Sequence, residues 1–222
     1  MSKDRYIITI DGPAGAGKST IAKKLAKKLN FTYVDTGAMY RAAALKAINT
    51  NTELKNKSAI EKLIKNTDII LNHDKNNMRI YVDGKDITSL IRDEKVSEAT
   101  SKISAIPGVR KKMVSVQREI AEKFKKTVFE GRDMGSAVFP DADLKIYLDA
   151  DVSERAKRRF KQIKNGNSRL TLKKIKAEIV KRDKRDKSRP LSPLKIPENA
   201  LIIDSSYLTA KQVTGKIIDL LA

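Results

Sequence analysis

A glycine-rich segment near the amino terminus has the residue types and spacing of a phosphate-binding loop. The pattern G-x-x-x-x-G-K-[ST] is matched by the run Gly12-Pro13-Ala14-Gly15-Ala16-Gly17-Lys18-Ser19. Glycines let successive backbone N–H groups converge on an anion, and a helix start adds partial positive charge. In such a loop Lys18 reaches the β- and γ-phosphates, and the Ser19 hydroxyl binds Mg²⁺. The segment therefore predicts a nucleoside triphosphate ligand with its magnesium ion.

An arginine and an aspartate, bracketed by glycines, follow a predicted strand in the segment Gly131-Arg132-Asp133-Met134-Gly135. Ligands of open α/β sheets bind at the carboxyl ends of strands, where packing does not require charged side chains. Arginine makes bidentate contacts to phosphate oxygens that lysine cannot match. The segment predicts a second place where phosphate is held.

A third group of charged residues lies at the carboxyl-terminal end of a helix predicted over residues 171–188. Its members share one face at spacings i, i+3, i+4 and i+7, and they are Arg182, Arg185, Asp186 and Arg189. They continue an apolar stripe, which favours an inward face that pairs with phosphates. The alternative is a solvated tail of mixed charge, and the neighbouring lysines Lys181, Lys184 and Lys187 fit it.

An earlier helix carries a further set of arginines on one face, namely Arg155, Arg158 and Arg159. Asp151, with Glu154 three residues later, resembles a capping signal for its start. A cluster of arginines with no other signal is more often a charged patch on the surface. The spacing alone therefore leaves both phosphate binding and exposure to solvent open.

The elements that must position these residues are those of a parallel sheet. Five short apolar runs predict strands, at residues 6–10, 31–34, 127–130, 144–148 and 200–203. The runs are nearly continuous rather than alternating, as expected where helices cover both faces of a sheet. Apolar residues along 21–29 give a helix after the glycine loop, and that order argues against a glycine-rich turn that matches by chance.

Between residues 49 and 107 the pattern changes to that of a small antiparallel insert. Strands are predicted at 69–71, 78–82 and 85–87, with Asp83-Gly84 as a hairpin turn and residues 74–77 as another turn. Helices are predicted at 96–105 and 107–126, and a flexible turn at 164–168. Turns are also predicted directly after the sheet strands, as at residues 35–37.

Composition excludes several classes of protein. The chain has 222 residues, 40% of them hydrophobic, which suits one globular domain with insertions. The absence of cysteine excludes disulfides, cysteine-ligated zinc and thiol chemistry, and a single histidine cannot build a histidine metal site or a serine triad. We expect that histidine, His73, in a solvated loop. No apolar run has the length of a membrane span or follows a signal-peptide pattern, so we expect a cytoplasmic protein without membrane contact.

The formal charge of +20 raises a nucleic-acid hypothesis. Some of this charge is explained by lysines on the polar face of the first helix, namely Lys23, Lys24, Lys27 and Lys28. Aromatic residues for base stacking make up only 5% of the chain. Charge alone does not separate a polyanion binder from an enzyme for phosphorylated metabolites.

Five segments together resemble bacterial cytidylate kinases. In chain order they are ITIDGPAGAGKST, VDTGAMYRAAALKA, EGRDMGSAVFPDADLKIYLDA, RDKRDKSRPLSPL and LIIDSS. The resemblance implies a P-loop nucleoside monophosphate kinase fold of the α/β class, with a five-stranded parallel sheet, helices on both faces and a small antiparallel β insert. It implies a core of residues 1–35 and 111–222 with a short lid at about 153–170, and a monophosphate-binding domain of residues 36–110. The reaction would be transfer of the γ-phosphoryl group of ATP to CMP or dCMP.

The resemblance also implies roles for residues. ATP would bind the loop from Gly12 to Ser19 and Thr20, with Mg²⁺ at Ser19. The acceptor phosphate would be held by Arg41 and Arg132 with Tyr40 nearby, the cytosine edge by Ser101, Arg110, Asp133 and Arg189, and the sugar by Thr36, Arg182 and Asp186. Arg155 and Arg159 would close over the donor phosphates, and would join Lys18 and Arg132 in catalysis. Many relatives have serine at the position of Thr36, which leaves the sugar preference open.

Three alternatives are weighed against this reading. A translational or ribosome-associated GTPase would need an N-K-x-D segment after a later strand, and the chain has none. An ATP-dependent RNA-binding module would show salt-sensitive RNA binding. A P-loop kinase acting on UMP is the nearest alternative. We expect a monomer that binds ATP and CMP or dCMP, with no specific nucleic-acid partner.

Overall fold

The computed structural model of the protein describes residues 4–74, 77–164 and 171–221. The strands are β1 Tyr6–Asp11, β2 Thr32–Asp35, β3 Ile69–Asp74, β4 Asn77–Val82, β5 Lys85–Asp86, β6 Lys126–Glu130, β7 Leu144–Asp149 and β8 Leu201–Asp204. The helices are α1 Lys18–Leu29, α2 Thr36–Asn49, α3 Lys57–Lys65, α4 Glu94–Ile103, α5 Pro107–Phe124, α6 Val152–Lys164, α7 Leu172–Ser188 and α8 Ala210–Asp219. Of the predicted turn at 164–168, only residue 164 is among the described residues. Of the predicted turn at 74–77, residues 75 and 76 lie outside them.

The five predicted sheet strands form one parallel sheet in the order β2-β6-β1-β7-β8, which confirms the predicted fold class. In the register of the sheet, Ile10 of β1 lies beside Glu130 of β6, and Asp11 lies beside Tyr147 of β7. The carboxyl ends of the strands therefore meet at one edge. Each strand of this sheet ends on an acidic residue, and these are Asp11, Asp35, Glu130, Asp149 and Asp204.

Helices cover both faces of the sheet because successive residues of the central strand point to opposite sides. Ile7 packs in a core that includes residues of α2 to α5 and of the insert. Ile8 and Ile10 pack on the other face with residues of α1 and α8. Both faces are thus buried, which explains the nearly continuous apolar sequence of the strands.

The predicted insert is a three-stranded antiparallel sheet in the order β3-β4-β5, and it packs against α2. Its turn residues Asp83 and Gly84 have φ of 48° and 78°, the left-handed backbone that two-residue hairpins use. The expected loop position of His73 is wrong, because the backbone of His73 belongs to β3 and pairs with Met78.

At three places the structure differs from the predicted element boundaries, and the neighbouring residues explain the difference. Helix α4 begins at Glu94, two residues earlier than predicted, because Asp93 Oδ1 accepts from the Lys95 N–H at 2.7 Å. Helix α5 ends at Phe124, since Lys125 has φ of 60° and Lys126 already joins β6. No turn at 35–37 separates β2 from α2, because Asp35 ends the strand and also caps the helix, accepting from the Ala38 N–H at 2.8 Å.

Helices α6 and α7 form a pair with its own small core of Ala156, Ile175 and Ile179. Thr171 caps α7, whose predicted extent is confirmed to within a residue at its start. None of the helices within the described ranges combines the length and apolarity that a bilayer crossing needs.

Candidate active site

The glycine loop between β1 and α1 is held from outside through its carbonyl groups. Lys18 Nζ donates to the Pro13 carbonyl at 2.7 Å, and Arg155 donates to the Ala14 carbonyl at 3.0 Å. The Ala16 carbonyl accepts from the Ser205 hydroxyl at 3.0 Å. Arg158, for which the sequence leaves phosphate binding and solvation open, also donates to that carbonyl, at 3.3 Å. Contacts from α1, α6 and the segment after β8 thus fix the shape of the loop.

Two glycines of the loop are required by its conformation. A Cβ on Gly12 would lie 2.0 Å from the Leu148 carbonyl oxygen of the neighbouring strand, and its φ of 148° disfavours other residues. Gly17 has φ of 97° and precedes α1, which has no side-chain cap among the described residues. The first N–H groups of α1 therefore remain available to an anion.

Lys18 is buried at the start of α1, with 6% of its surface exposed. Burial lowers the pKa of Lys18 to about 7, and the nearby charge of Arg132 acts in the same direction, whereas Glu130 opposes it. A phosphate in the loop would supply the negative charge that restores the ammonium form.

Glu130 is an acidic neighbour whose charge acts to raise the pKa of Lys18. It ends β6, is buried, and accepts from the Tyr33 hydroxyl at 2.5 Å. Burial, followed by the charge of Asp35, raises the pKa of Glu130. The nearby Ser19 hydroxyl acts on the pKa of Glu130 in the opposite direction and lowers it.

The residues around Ser19 suit a magnesium ion that is carried by a nucleotide. The described residues contain no group of three or more histidine or acidic side chains placed to hold a metal. Mg²⁺ is commonly bound by few protein groups together with substrate phosphates and water. The exposed Ser19 hydroxyl, a hard oxygen ligand beside the phosphate loop, fits that arrangement.

The segment after β6 forms a π-helical turn, Met134–Val138, that is anchored by Asp11. The fully buried Asp11 carboxylate accepts from the N–H groups of Met134 at 2.9 Å and Gly135 at 2.7 Å. Burial raises the pKa of Asp11 to about 6, although both hydrogen bonds act in the opposite direction. Asp11 therefore fixes the backbone that follows Arg132 and Asp133.

Asp133 lies between two of the predicted base-reading arginines. Its carboxylate pairs with Arg110 of α5 and lies 3.1 Å from Nη2 of Arg189, and all three side chains are almost fully buried. The Arg110 guanidinium also lies 5.9 Å from the centroid of the Tyr40 ring. The fold thus brings together four residues that are far apart in the chain.

A second ionic group lies where the acceptor phosphate and sugar are predicted. Arg132 Nε donates to Asp186 Oδ2 at 2.9 Å, and Arg182 Nε lies 3.9 Å from the same oxygen. Burial acts to raise the pKa of Asp186, but the charges of Arg132 and Arg182 outweigh it and hold the pKa below its ordinary value. Burial, together with Arg132, lowers the pKa of Arg182 to about 10.

Arg41 belongs to the same region, because its charge contributes to the lowered pKa of Arg182 after burial and Arg132. It pairs with Asp35 at 2.8 Å. Positive charge is therefore concentrated here, and an anion would relieve it.

Several buried polar atoms of α2, α4 and α7 have no hydrogen-bond partner among the described residues. They are Tyr40 Oη, Arg41 Nε, Ser101 Oγ, Arg182 Nε and Arg185 Nε. Leaving such an atom unpaired costs roughly 1–3 kcal/mol, so native proteins rarely tolerate a group of them without a ligand or water. Four of the five belong to residues that the resemblance assigns to the acceptor.

Other predicted residues lie as follows. The buried Thr36 hydroxyl donates to the Glu130 carbonyl at 2.7 Å, so it also stabilises the start of α2. Arg155 is buried against the glycine loop, whereas Arg159 is exposed on α6. The lysines Lys181, Lys184 and Lys187 of α7 are exposed, and so are Lys23, Lys24, Lys27 and Lys28 of α1, which confirms that those lysines face solvent.

Asp183 on α7 is a buried charge that was not predicted from the sequence. Its carboxylate accepts from the Ala14 N–H of the glycine loop at 3.2 Å and from Arg155 at 2.5 Å. Its position four residues after buried Ile179 was a usable signal, because that spacing continues the apolar stripe inward.

Comparison with known sequences gives one family. Residues 8–222 match the family described as Cytidylate kinase. A cytidylate kinase of Caldanaerobacter subterraneus subsp. tengcongensis is 46% identical over 210 residues, which cover 95% of this chain and 92% of the relative. A cytidylate kinase of Caldicellulosiruptor saccharolyticus is 44% identical, covering 96% and 94%.

Comparison with solved structures supports the fold alone. An uncharacterized protein from Eubacterium ventriosum superimposes with a TM-score of 0.53 at 14% identity, and the match covers 98% of each chain. At that identity the likeness extends to the architecture of the sheet and helices.

Proposed function

The chain belongs to the cytidylate kinase family and is an ATP-dependent kinase for CMP or dCMP, and we propose that its site divides into a donor half and an acceptor half. The donor half is the glycine loop from Gly12 to Thr20. The acceptor half is the ionic region formed by α2, α4, α5, the segment after β6 and the end of α7. The γ-phosphoryl group of ATP passes between them, giving ADP and CDP or dCDP.

In the donor half, the loop and the start of α1 bind the phosphates of ATP, and Lys18 stabilises charge that builds on the transferred group. Support comes from the uncapped start of α1 and from the burial of Lys18 at that start, where the charge of a bound phosphate would favour the ammonium form. Ser19 would bind Mg²⁺, which neutralises phosphate charge when it is bound with the nucleotide.

The acceptor half is supported by the unpaired buried atoms, the single observation on which this assignment depends. Arg41 and Arg132 would hold the acceptor phosphate with Tyr40 beside them. Thr36, Arg182 and Asp186 would face the sugar.

Cytosine recognition is assigned to Asp133, Arg110 and Arg189, together with Ser101. Cytosine presents an exocyclic amine beside a ring nitrogen and a carbonyl group. A carboxylate accepts from the amine, and arginines donate to the two acceptors. The buried ion pairs around Asp133 place those group types side by side.

Phosphoryl transfer here needs positioning and charge stabilisation rather than a protein base. The second pKa of a phosphate monoester is about 6, so the acceptor is already largely ionised near neutral pH. Lys18 and Arg132, with Arg155 and Arg159 from α6, would stabilise the charge on the moving group. Closure of a lid at about 153–170 over a core of 1–35 and 111–222, opposite a monophosphate-binding domain of 36–110, would exclude water.

We further propose that the enzyme works as a cytoplasmic monomer in pyrimidine nucleotide metabolism, with nucleotides rather than nucleic acid as its partners. The lysines on exposed helix faces account for part of the +20 charge without a polyanion site.

A coupled ADP-release assay with Mg²⁺-ATP and a panel of nucleoside monophosphates tests the proposed function. We expect CMP and dCMP to be phosphorylated well, UMP more slowly, and AMP and GMP hardly at all. Comparable rates with AMP or GMP would refute the assignment of Asp133, Arg110 and Arg189 to cytosine.

A further inference from the structure

Asp183 has no role in the donor or acceptor assignments above, yet it is one of the few buried carboxylates near the glycine loop. It is 8% exposed and lies on α7, between the acceptor residues Arg182 and Asp186 in sequence. Its contacts point away from the acceptor, toward Ala14 and Arg155.

These three residues form a closed ring of polar contacts. Asp183 Oδ1 accepts from the Ala14 N–H at 3.2 Å, and Arg155 Nη1 donates to the Ala14 carbonyl at 3.0 Å. Arg155 Nη1 also donates to Asp183 Oδ2 at 2.5 Å. Both polar backbone groups of one glycine-loop residue are therefore held by two side chains that hold each other.

The ring is tied to the rest of the fold at a further point. Arg155 Nε donates to the Ala150 carbonyl, just after β7, at 2.8 Å. A Cβ on Gly15 would lie 3.1 Å from the Arg155 Cβ, so the loop and α6 are in direct contact. The ring thus connects the donor loop, β7, α6 and α7.

One turn further along α7, Asp186 makes the corresponding contact on the acceptor side. It accepts from Arg132, which belongs to the segment assigned to the acceptor phosphate. Asp183 and Asp186 are three residues apart, which is about 4.5 Å along a helix axis. The end of α7 therefore contacts the donor loop through one aspartate and the acceptor segment through the next.

We propose that Asp183 is a positioning residue for phosphoryl transfer: with Arg155 it fixes the glycine loop relative to α7, and so sets the distance between donor and acceptor. Transfer requires the attacking oxygen, the phosphorus and the leaving oxygen in line, and a misplacement of about 1 Å costs on the order of 10²-fold in rate. This inference depends on the proposed function, because it places the acceptor at Arg132 and Asp186.

The test compares Asp183→Asn and Asp183→Ala with wild type, and with Glu178→Gln as the control on an exposed part of the same helix. Asparagine keeps the side-chain volume and one acceptor for Ala14 but removes the charge that pairs with Arg155. We expect kcat to fall by ~10–10²-fold in both variants, with KM for CMP within about threefold of wild type. The Glu178→Gln variant should match wild type in both constants.

Two further measurements complete the test of the Asp183 variants. Circular dichroism gives their melting curves, and calorimetry gives their binding of MgATP in the absence of CMP. A variant that melts earlier but keeps wild-type kcat well below its melting temperature would overturn the positioning role, as would equal changes in KM for CMP and for ATP. Failure of the proposed function is distinguishable, because wild type would then not phosphorylate CMP. A normal kcat in Asp183→Asn beside an active wild type would refute this inference alone.

Discussion

The proposed donor and acceptor halves of the site differ in how their polar groups are satisfied. In the glycine loop, the carbonyl groups of Pro13, Ala14 and Ala16 each accept from a side chain of the protein. In the acceptor region, buried atoms of Tyr40 and Arg182 have no partner among the residues described. The difference teaches that the protein itself satisfies the carbonyl groups of the donor loop and leaves the backbone N–H groups at the start of α1 for a phosphate. In the acceptor region it is side-chain atoms that keep hydrogen-bonding capacity for a ligand.

The origin of the two halves in the chain explains the difference. The donor loop is a contiguous segment, so neighbouring elements can fix it through its own backbone. The acceptor region draws side chains from α2, α4, α5, the segment after β6 and α7. Its groups are assembled by tertiary structure, and ion pairs such as Arg132 with Asp186 keep them in place.

The largest effect that tests this comparison is expected at Lys18, the buried charge of the donor half. Lys18→Ala removes a contact that strengthens as negative charge builds in the transition state, and such contacts are worth ~10²–10³ in rate. We expect that loss in kcat with ATP and CMP, measured by steady-state kinetics. Lys27→Ala on the exposed face of α1 is the control and should remain within about twofold of wild type. Near-normal turnover by folded Lys18→Ala would refute the donor assignment.

The next effect is expected in the acceptor half, at Arg182. Hydrogen bonds to charged groups contribute roughly 1.5–3 kcal/mol, so Arg182→Ala should lower kcat/KM for CMP by ~10–10²-fold. The melting temperature should change little, because Arg182 Nε makes no hydrogen bond within the described structure. Its 3.9 Å ion pair with Asp186 is opposed by the nearby charges of Arg132 and Arg41. Kinetics with CMP varied at saturating ATP measure this effect, and Lys184→Ala on the exposed side of α7 is the matched control. If Arg182→Ala changed kcat/KM for CMP no more than the control does, the charged residues at the end of α7 would form a solvated face.

A pH effect sharpens the comparison from the donor side. Burial lowers the pKa of Lys18 to about 7, and bound phosphates raise it again, so MgATP binding above pH 7 takes up a proton. The Kd for MgATP should therefore rise between pH 7 and 9, by up to about tenfold per pH unit. Calorimetry at pH 8 in two buffers of different ionisation enthalpy measures the proton uptake. Lys18→Arg stays charged and should lose the effect, and binding without proton uptake by wild type would contradict the prediction.

The smallest effect is expected at Thr36, which serves both structure and the predicted sugar contact. Thr36→Ser keeps the hydroxyl that donates to the Glu130 carbonyl and removes one methyl group, worth about 0.8 kcal/mol when buried. We expect the ratio of kcat/KM for dCMP to that for CMP to change by less than about threefold. A larger change, measured by competition between the two acceptors, would show that the methyl group sets the sugar preference.

The sheet could be predicted from sequence because its strands are buried on both faces and therefore read as apolar runs. Four predicted strands ended one residue too early, since Asp11, Asp35, Asp149 and Asp204 end strands without being apolar. Helix α2 was not predicted, because it is buried on most of its surface and shows no apolar stripe.

The glycine loop could also be predicted, since its function depends on a local pattern of glycines, lysine and serine. The partners that hold the site could not, because they are distant in the chain. Asp183 contacts Ala14 across 169 positions, and Asp11 contacts Gly135 across 124. Only the tertiary fold determines such pairs, and the roles of the acceptor residues stay a prediction from resemblance.

The ion pairs of the acceptor half have a consequence for the stability of the protein as a whole. Among the described residues, they join five arginines to three aspartates and leave two positive charges in excess. A nucleoside monophosphate brings about −1.5 to −2 at neutral pH, which balances that excess. An acceptor bound there would act as a structural counter-ion and, at a hundredfold excess over its Kd, would add about 2.7 kcal/mol to the free energy of unfolding. The resistance of this enzyme to unfolding should therefore follow the supply of its own substrate.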